Sequence, residues 1–231
     1  MDVASEPLAP DEVETPHEHP AGLAHHFDSF EQQRQSASFG MWLFLATEFL
    51  FFGTLFMAYT IYRVLYPVAF RAASRTLDVR LGTINTAVLI CSSLTMALAV
   101  REAQKGKRRS VAAFLFGTIL LGSVFLGIKG VEYHHKFVEH YIPGPNFKFE
   151  GADPVHAQMF FNLYFMMTGL HGLHMIIGIG LMCWLIVLAL RGRFTTENHD
   201  FVEGFGLYWH FVDIVWIFLF PLLYLVGRHG V

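Results

Sequence analysis

An acidic residue, Glu48, lies in the middle of a strongly apolar stretch of the sequence. Phe44, Leu45, Phe51 and Phe52 occupy its helical-neighbour positions. A carboxylate at the centre of a bilayer costs roughly 2.5–3.5 kcal/mol on insertion scales, so Glu48 is expected to face the interior of a helix bundle or to be protonated. Two interpretations stay open. Glu48 is a proton-responsive or partner-binding site, or it is a neutral acid that joins two helices by a hydrogen bond.

Polar side chains also recur at helical spacing in later apolar segments. One stripe contains Tyr164, Thr168, His171, then His174 or Met175, then Gly178, and a second contains Glu203, Gly206, His210, Asp213 and, further along, Tyr224. Small residues in the first segment would let another helix approach closely, and they are Gly169, Gly172, Gly178 and Gly180. These stripes predict helices packed around a partly polar interior.

A third apolar segment ends in Lys129, Glu132 and Lys136. The spacing of three and four residues places Glu132 on the same helical face as both lysines, so it can pair with either of them.

Haem ligation by the central histidines is not expected. His171 lies about 19 residues from the cytoplasmic end of its segment, whereas His210 lies about six from the start of the next, a difference in depth of roughly 20 Å at 1.5 Å per residue. Four further histidines, His17, His19, His25 and His26, occur in an acidic, proline-containing N-terminal region. A solvated tail is favoured there over a metal site, because no apolar residues surround them. No metal site is therefore predicted in this chain.

Other catalytic patterns are missing from the sequence. It contains no phosphate-binding glycine loop, no nucleophile elbow and no zinc-type His-Glu spacing. No catalytic residue is therefore predicted. The formal net charge of -3 gives no indication of a nucleic-acid partner. Cys91 and Cys183 both lie in apolar runs and are expected to be small core residues, not disulfide partners.

The elements that position these residues are apolar segments of membrane-spanning length. Hydrophobic residues make up 54% of the 231 residues and charged residues only 15%. About 20 apolar residues suffice to cross a bilayer as a helix, and lipid cannot satisfy an open backbone, so we predict an all-α fold, a polytopic bundle of five transmembrane helices. The predicted spans are Phe39–Tyr62, Thr83–Val100, Val111–Tyr133, Phe160–Leu190 and Gly204–Val226. Residues 1–38 are predicted to be a polar tail and residues 39–231 the membrane domain.

Basic residues between the spans predict the orientation. The densest cluster, Arg101 to Arg109, lies between the second and third spans and is expected to be cytoplasmic. The N-terminus would then be cytoplasmic and the C-terminus periplasmic. Four arginines between the first two spans, Arg63, Arg71, Arg75 and Arg80, weaken this charge argument because the same topology places them outside.

The strings that carry these polar residues resemble subunit III of haem-copper oxidases, in its short five-helix bacterial form. They are Trp42-Leu-Phe-Leu-Ala-Thr-Glu48-Phe-Leu-Phe-Phe52, Asn85-Thr-Ala-Val-Leu89, Glu132-Tyr133, Thr168-Gly-Leu-His171-Gly-Leu-His174-Met-Ile-Ile-Gly178 and Tyr208-Trp-His210-Phe-Val-Asp213-Ile-Val-Trp216. The last two are highly specific. The resemblance extends from about Phe39 to Val226.

This resemblance implies a non-catalytic subunit of an aerobic respiratory terminal oxidase in the bacterial inner membrane. Haem and copper would be held by partner subunits and none by this chain. The chain would contact subunit I directly, would assemble with subunit II and small subunits, and would bind phospholipid. Glu48 would be the family's buried glutamate, proton-related or at the subunit I interface. The lipid-cleft or structural residues would be Glu132, His171, His174, His210 and Asp213, and nearby Arg191 and Arg193 are lipid-headgroup candidates.

The expected function is support of proton uptake, lipid binding and stability of subunit I in a cytochrome c oxidase that couples oxygen reduction to proton translocation. Three alternatives stay open: subunit III of a quinol oxidase, an accessory subunit of nitric oxide reductase and, from a different class, an independent proton-coupled transporter that uses Glu48. The lack of an internal repeat argues against the transporter.

Overall fold

Six α-helices form the fold in the computed structural model, which describes residues 29–191, 200–225 and 227. The helices are α1 (Phe30–Leu65), α2 (Pro67–Arg75), α3 (Val79–Gln104), α4 (Arg108–Val138), α5 (Pro154–Leu190) and α6 (Asp200–Phe220). A π-helical turn, Pro221–Leu225, continues α6. Within this described part no strand occurs, and five helices (all but α2) are long and apolar enough to cross a membrane. The prediction of an all-α bundle with five transmembrane helices is confirmed.

Helices α3, α4, α5 and α6 pack in a ring around a shared interior. Each of the pairs α3–α4, α4–α5, α5–α6 and α3–α6 is in contact. Two fully buried tryptophans of α6 fill much of the interior. Trp209 donates from Nε1 to Ser92 Oγ at 2.9 Å, and Trp216 donates to Thr86 Oγ1 at 3.1 Å. The indoles therefore join α6 to α3 through hydrogen bonds that a lipid environment cannot replace.

Glycines make room for these indoles. A Cβ built on Gly178 would lie 2.8 Å from Cζ3 of Trp209, and one on Gly122 would lie 3.2 Å from its Cη2. The prediction that four glycines of α5 admit a neighbouring helix is only partly correct. Gly178 does so, but a Cβ built on Gly172 or Gly180 would meet no described atom of another element within 4 Å, and Gly169 is exposed.

Helix α1 packs less closely than the other spans. Among residues 31–65 of this helix only Phe52, Leu55 and Tyr59 are buried, all on one face of its C-terminal half, where it meets α5 and α6. Tyr59 donates its hydroxyl to the carbonyl of Leu222 at 2.9 Å. The helix begins at Phe30, with the Ser29 hydroxyl accepting from Gln32 N at 3.2 Å. Residues 30–38 of the predicted tail are therefore helical, while the four N-terminal histidines lie outside the described residues.

Helix α5 exceeds the thickness of a bilayer, as expected of the fourth span. Its 37 residues correspond to about 55 Å at 1.5 Å per residue, against a hydrocarbon core of about 30 Å. The first turns are covered by α2 and by the α4–α5 loop, because Phe160 packs on Phe70 and Phe161 on Tyr141 and Phe149. The first turns of α5 thus lie in a small aromatic cap formed by α2 and the α4–α5 loop.

Both cysteines are exposed on the bundle surface. The prediction that Cys91 and Cys183 are core residues is wrong. An apolar run of membrane-spanning length cannot by itself distinguish a side chain that faces lipid from one that faces protein.

Candidate functional site

Glu48 of α1 is bound to His174 of α5. Glu48 Oε2 lies 3.1 Å from His174 Nε2. The other ring nitrogen, Nδ1, lies 2.8 Å from the carbonyl oxygen of Leu170, one turn earlier in the same helix. The edge of Phe52 packs on the imidazole, and the Tyr208 hydroxyl donates to the His174 carbonyl at 2.9 Å. Helices α1, α5 and α6 therefore all position this pair.

The two contacts of the His174 ring limit which of its nitrogens can carry a hydrogen. A carbonyl oxygen only accepts hydrogen bonds, so His174 Nδ1 must carry a hydrogen. Nε2 then either accepts from a protonated Glu48 or donates to its carboxylate. In both forms one hydrogen lies between Glu48 Oε2 and His174 Nε2.

The pair lies at the edge of the bundle, not at its centre. The side chains of Glu48 and His174 are 20% and 14% exposed, respectively. Phe49, Leu50 and Phe51, the next residues of α1, are all exposed. The pair therefore borders a surface on which lipid or another protein must lie.

A second buried polar cluster surrounds Glu132 of α4. Its Oε2 accepts from Lys129 Nζ at 2.9 Å, and its Oε1 accepts from the hydroxyls of Tyr164 at 3.0 Å and Tyr224 at 2.5 Å. Lys129 Nζ also donates to Tyr224 Oη at 2.5 Å and lies 4.5 Å from the ring centroid of Trp216. The cluster joins α4, α5, α6 and the π-helical turn.

Lys136 does not share this cluster. It donates to Glu139 Oε2 at 2.6 Å and to the Thr76 carbonyl at 2.9 Å. Of the two pairings that the sequence allowed, Glu132 makes the one with Lys129. The complete set of partners on Glu132 is typical of a structural ion pair, in which each buried charge has donors or acceptors of its own.

His171, His210 and Asp213 do not form a common site. The buried His171 packs against Phe125 and Trp216, with ring centroids 5.4 Å away in both cases. His210 is half-buried, and its Nδ1 is hydrogen-bonded to Ser93 Oγ at 2.8 Å. Asp213 is buried beside Ser93, but neither of its carboxyl oxygens makes a hydrogen bond of good geometry with the described residues. His210 and Asp213 thus share Ser93 as a neighbour, whereas His171 lies among aromatic rings.

The two arginines predicted near the end of the fourth span are only partly described. Arg191 follows α5 directly and is exposed, whereas Arg193 lies outside the described residues. Among residues 29–191, 200–225 and 227, no three His, Cys, Asp or Glu side chains converge as metal ligands. His171 stacks on aromatic rings, and His174 and His210 are hydrogen-bonded to protein groups.

The family model for cytochrome c oxidase subunit III matches residues 24–228. The chain belongs to that family. This subunit III resembles the cytochrome bo(3) ubiquinol oxidase subunit 3 of Pseudomonas aeruginosa, with 31% identity covering 89% of this chain and 92% of the relative. It is also similar to the cytochrome c oxidase subunit 3 of Alkalihalophilus pseudofirmus (32%, covering 90% and 96%) and to the quinol oxidase subunit 3 of Bacillus subtilis (31%, covering 83% and 87%).

These matches confirm the predicted resemblance and the assignment to a terminal oxidase: the protein is subunit III of a haem-copper terminal oxidase. It is a multi-pass membrane protein of a multi-subunit complex. The family favours the oxidase over an independent transporter. Relatives named for quinol and for cytochrome c occur at the same level of identity, so identity does not select the electron donor.

Sequence reasoning missed two features of the site. It placed Glu48 and His174 in separate spans without pairing them, and it did not assign helix α2. The signal for α2 was present: Pro67 at the first helical position and apolar residues at 69, 70, 73 and 77. No comparable local signal exists for the pair, whose members are 126 residues apart.

Proposed function

We propose that this subunit III has no redox centre of its own and supports subunit I, which would hold haem and copper. Glu48 would lie at or near the interface with subunit I and hold a proton together with His174. The observation that supports this is the hydrogen bond between Glu48 and His174 at a partly exposed edge of the bundle. A partly exposed ionisable pair is costly against lipid tails, so contact with a protein partner is favoured there.

The electron donor proposed is cytochrome c, with quinol as the alternative. Donor choice is made in other subunits, and a nitric oxide reductase accessory role would share the same fold. Mild-detergent purification of the complex through this chain, followed by a haem spectrum and mass identification of partners, tests the assignment. Co-purification of a haem-copper subunit I that oxidises reduced cytochrome c supports the proposal. A complex that oxidises quinol but not cytochrome c would favour the quinol alternative instead. A colourless eluate that contains this chain alone, under conditions that preserve the oxidase, would contradict it.

Glu48→Gln tests the role of the pair. Assembly, haem content and the initial rate of electron transfer should stay nearly unchanged, because no redox centre is touched. Proton uptake or the number of turnovers before inactivation should fall, because glutamine cannot exchange the shared proton. Glu139→Gln, which removes an exposed acid, is the matched control and should change neither. Loss of haem from the Glu48→Gln complex would show that the residue is required for assembly and would refute the supporting role.

For topology, we propose the bacterial inner membrane with the α3–α4 loop and the N-terminus in the cytoplasm and the C-terminus in the periplasm. Residues 1–38, and Arg191 and Arg193 after α5, would then lie on the cytoplasmic side. The two arginines could bind anionic headgroups there. Arg191→Ala with Arg193→Ala should lower the anionic lipid that co-purifies, and unchanged lipid would refute that assignment.

A further inference from the structure

A cavity lies where α1 ends and α2 begins. Its volume is about 300 Å³, and two of its lining residues are Arg63, from the last turn of α1, and Arg71, from α2. Thr60, Val64, Pro67 and Phe70 also line it, and no acidic residue does. The cavity therefore combines two positive charges with a wall that is partly apolar.

Neither arginine has an anionic partner in the described chain. Ion pairs and side-chain hydrogen bonds among residues 29–191, 200–225 and 227 involve neither guanidinium. Arg75, the next arginine of α2, differs because its Nε donates to the Gly227 carbonyl at 3.1 Å. Two like charges that line one small cavity repel each other, and a bound anion would remove that repulsion.

The position of the cavity indicates the membrane boundary. Arg63 directly follows the apolar stretch of α1, and α2 is amphipathic. Ala69, Phe70 and Ala73 form its buried face, whereas Val68 and Arg71 are exposed. A short amphipathic helix with basic residues on its polar face lies in the headgroup region. One membrane crossing, by α1, separates this region from the side on which α1 starts. Arg191 follows four crossings and is therefore on that starting side, so the cavity lies at the opposite leaflet from Arg191.

We propose that Arg63 and Arg71 bind the phosphodiester of an anionic phospholipid, with its glycerol and upper acyl chain against the exposed Val64 and Pro67. Guanidinium forks match phosphate oxygens in geometry and charge. The apolar side chains of the wall favour a lipid headgroup over free phosphate, which has no apolar part to bury. This site is separate from the Arg191 and Arg193 candidates and does not depend on Glu48.

The test uses the purified full-length chain, delipidated and then titrated with phosphatidylglycerol while bound lipid is counted by native mass spectrometry. Each single change, Arg63→Gln or Arg71→Gln, should weaken binding about fivefold and the double change about 30-fold. Arg80→Gln is the matched control, because it removes an exposed arginine from the same side of the membrane. It should leave affinity unchanged.

Further measurements separate the possible outcomes. The lipid-free double variant should melt at the same temperature as Arg80→Gln, which would exclude a folding defect. Lysine at both positions should restore part of the lipid affinity, because the positive charges return. Inorganic phosphate that displaces the lipid at equal concentration would assign the site to a free anion and overturn the lipid proposal. Equal lipid affinity of the double variant and Arg80→Gln would overturn the site itself.

Discussion

Glu132→Gln removes a buried negative charge and keeps the size of the side chain. Lys129 is 7% exposed and cannot turn to water, so its ammonium would stay in the bundle beside an amide instead of a carboxylate. The hydrogen bonds from Tyr164 and Tyr224 could still be accepted by the amide oxygen. The substitution therefore removes only the charge, and the change in the free energy of unfolding measures the cost of breaking the ion pair.

Two limits set the expected loss in the free energy of unfolding of Glu132→Gln. Hydrogen bonds between membrane helices average only about 0.6 kcal/mol, because the unfolded helices also find partners. Removing one member of a buried ion pair costs about 3–5 kcal/mol, because the other charge is left without compensation. Since Lys129 stays enclosed by aromatic rings, we expect a value near the lower end of the second range, about 3 kcal/mol, or roughly 150-fold in the folding equilibrium.

The assay is reversible unfolding of the purified chain in mixed micelles by titration with dodecyl sulfate, followed by tryptophan fluorescence. Trp209 and Trp216 are fully buried and should report the opening of the bundle. Glu139→Gln is the control on the same helix. Glu139 also pairs with a lysine three residues away, Lys136, but the Glu139 side chain is 47% exposed and Lys136 keeps the Thr76 carbonyl as an acceptor. The loss of Glu139 should therefore cost less than the loss of Glu132.

Two results would refute this reasoning. One is a loss for Glu132→Gln no larger than that for Glu139→Gln. The other concerns the stranded charge: adding Lys129→Met to Glu132→Gln should recover stability, because it removes the uncompensated ammonium. If the double variant is less stable than Glu132→Gln alone, the cost does not arise from that charge.

The same unfolding assay tests the packing of the indoles. Gly178→Ala should destabilise by about 1–3 kcal/mol, because its Cβ would overlap Trp209. Gly172→Ala, on an open face of the same helix, should be neutral or slightly stabilising, and equal effects of the two changes would contradict the packing argument. Ser92→Ala should cost about 1–3 kcal/mol, because it leaves the Trp209 N–H without its acceptor. Unchanged stability would mean that another acceptor replaces the hydroxyl.

The sequence was sufficient for the number and type of the spans, because long apolar runs impose helices in lipid. It was less informative about their ends. Helix α3 extends four residues beyond the predicted span at each end and α5 begins six residues before it, because polar residues beyond the lipid boundary continue a helix at little cost. The interior of α5 was predicted well: Thr168, His171, Met175 and Gly178 are all buried.

Pairings between helices were beyond the sequence. His174 and Met175 were equivalent alternatives on the helical stripe, and only the angle at which α1 crosses α5 assigns Met175 to the core and His174 to Glu48. Glu132 had two lysines at suitable spacing, and the choice depended on Tyr224, which reaches it from 92 residues away. Such choices arise from tertiary packing, which local periodicity does not encode.

The attachment of α1 has a consequence for biogenesis. Its main contacts, Glu48 with His174, Phe52 with Phe211 and Tyr59 with Leu222, are all made to the last two spans. The 126 residues between Glu48 and His174 take about 6 to 25 s to synthesise at 5–20 residues per second. During that interval α1 has left the ribosome, but Glu48 lacks its partner His174. Glu48 must therefore stay protonated or be shielded by another factor until the last two spans have been synthesised.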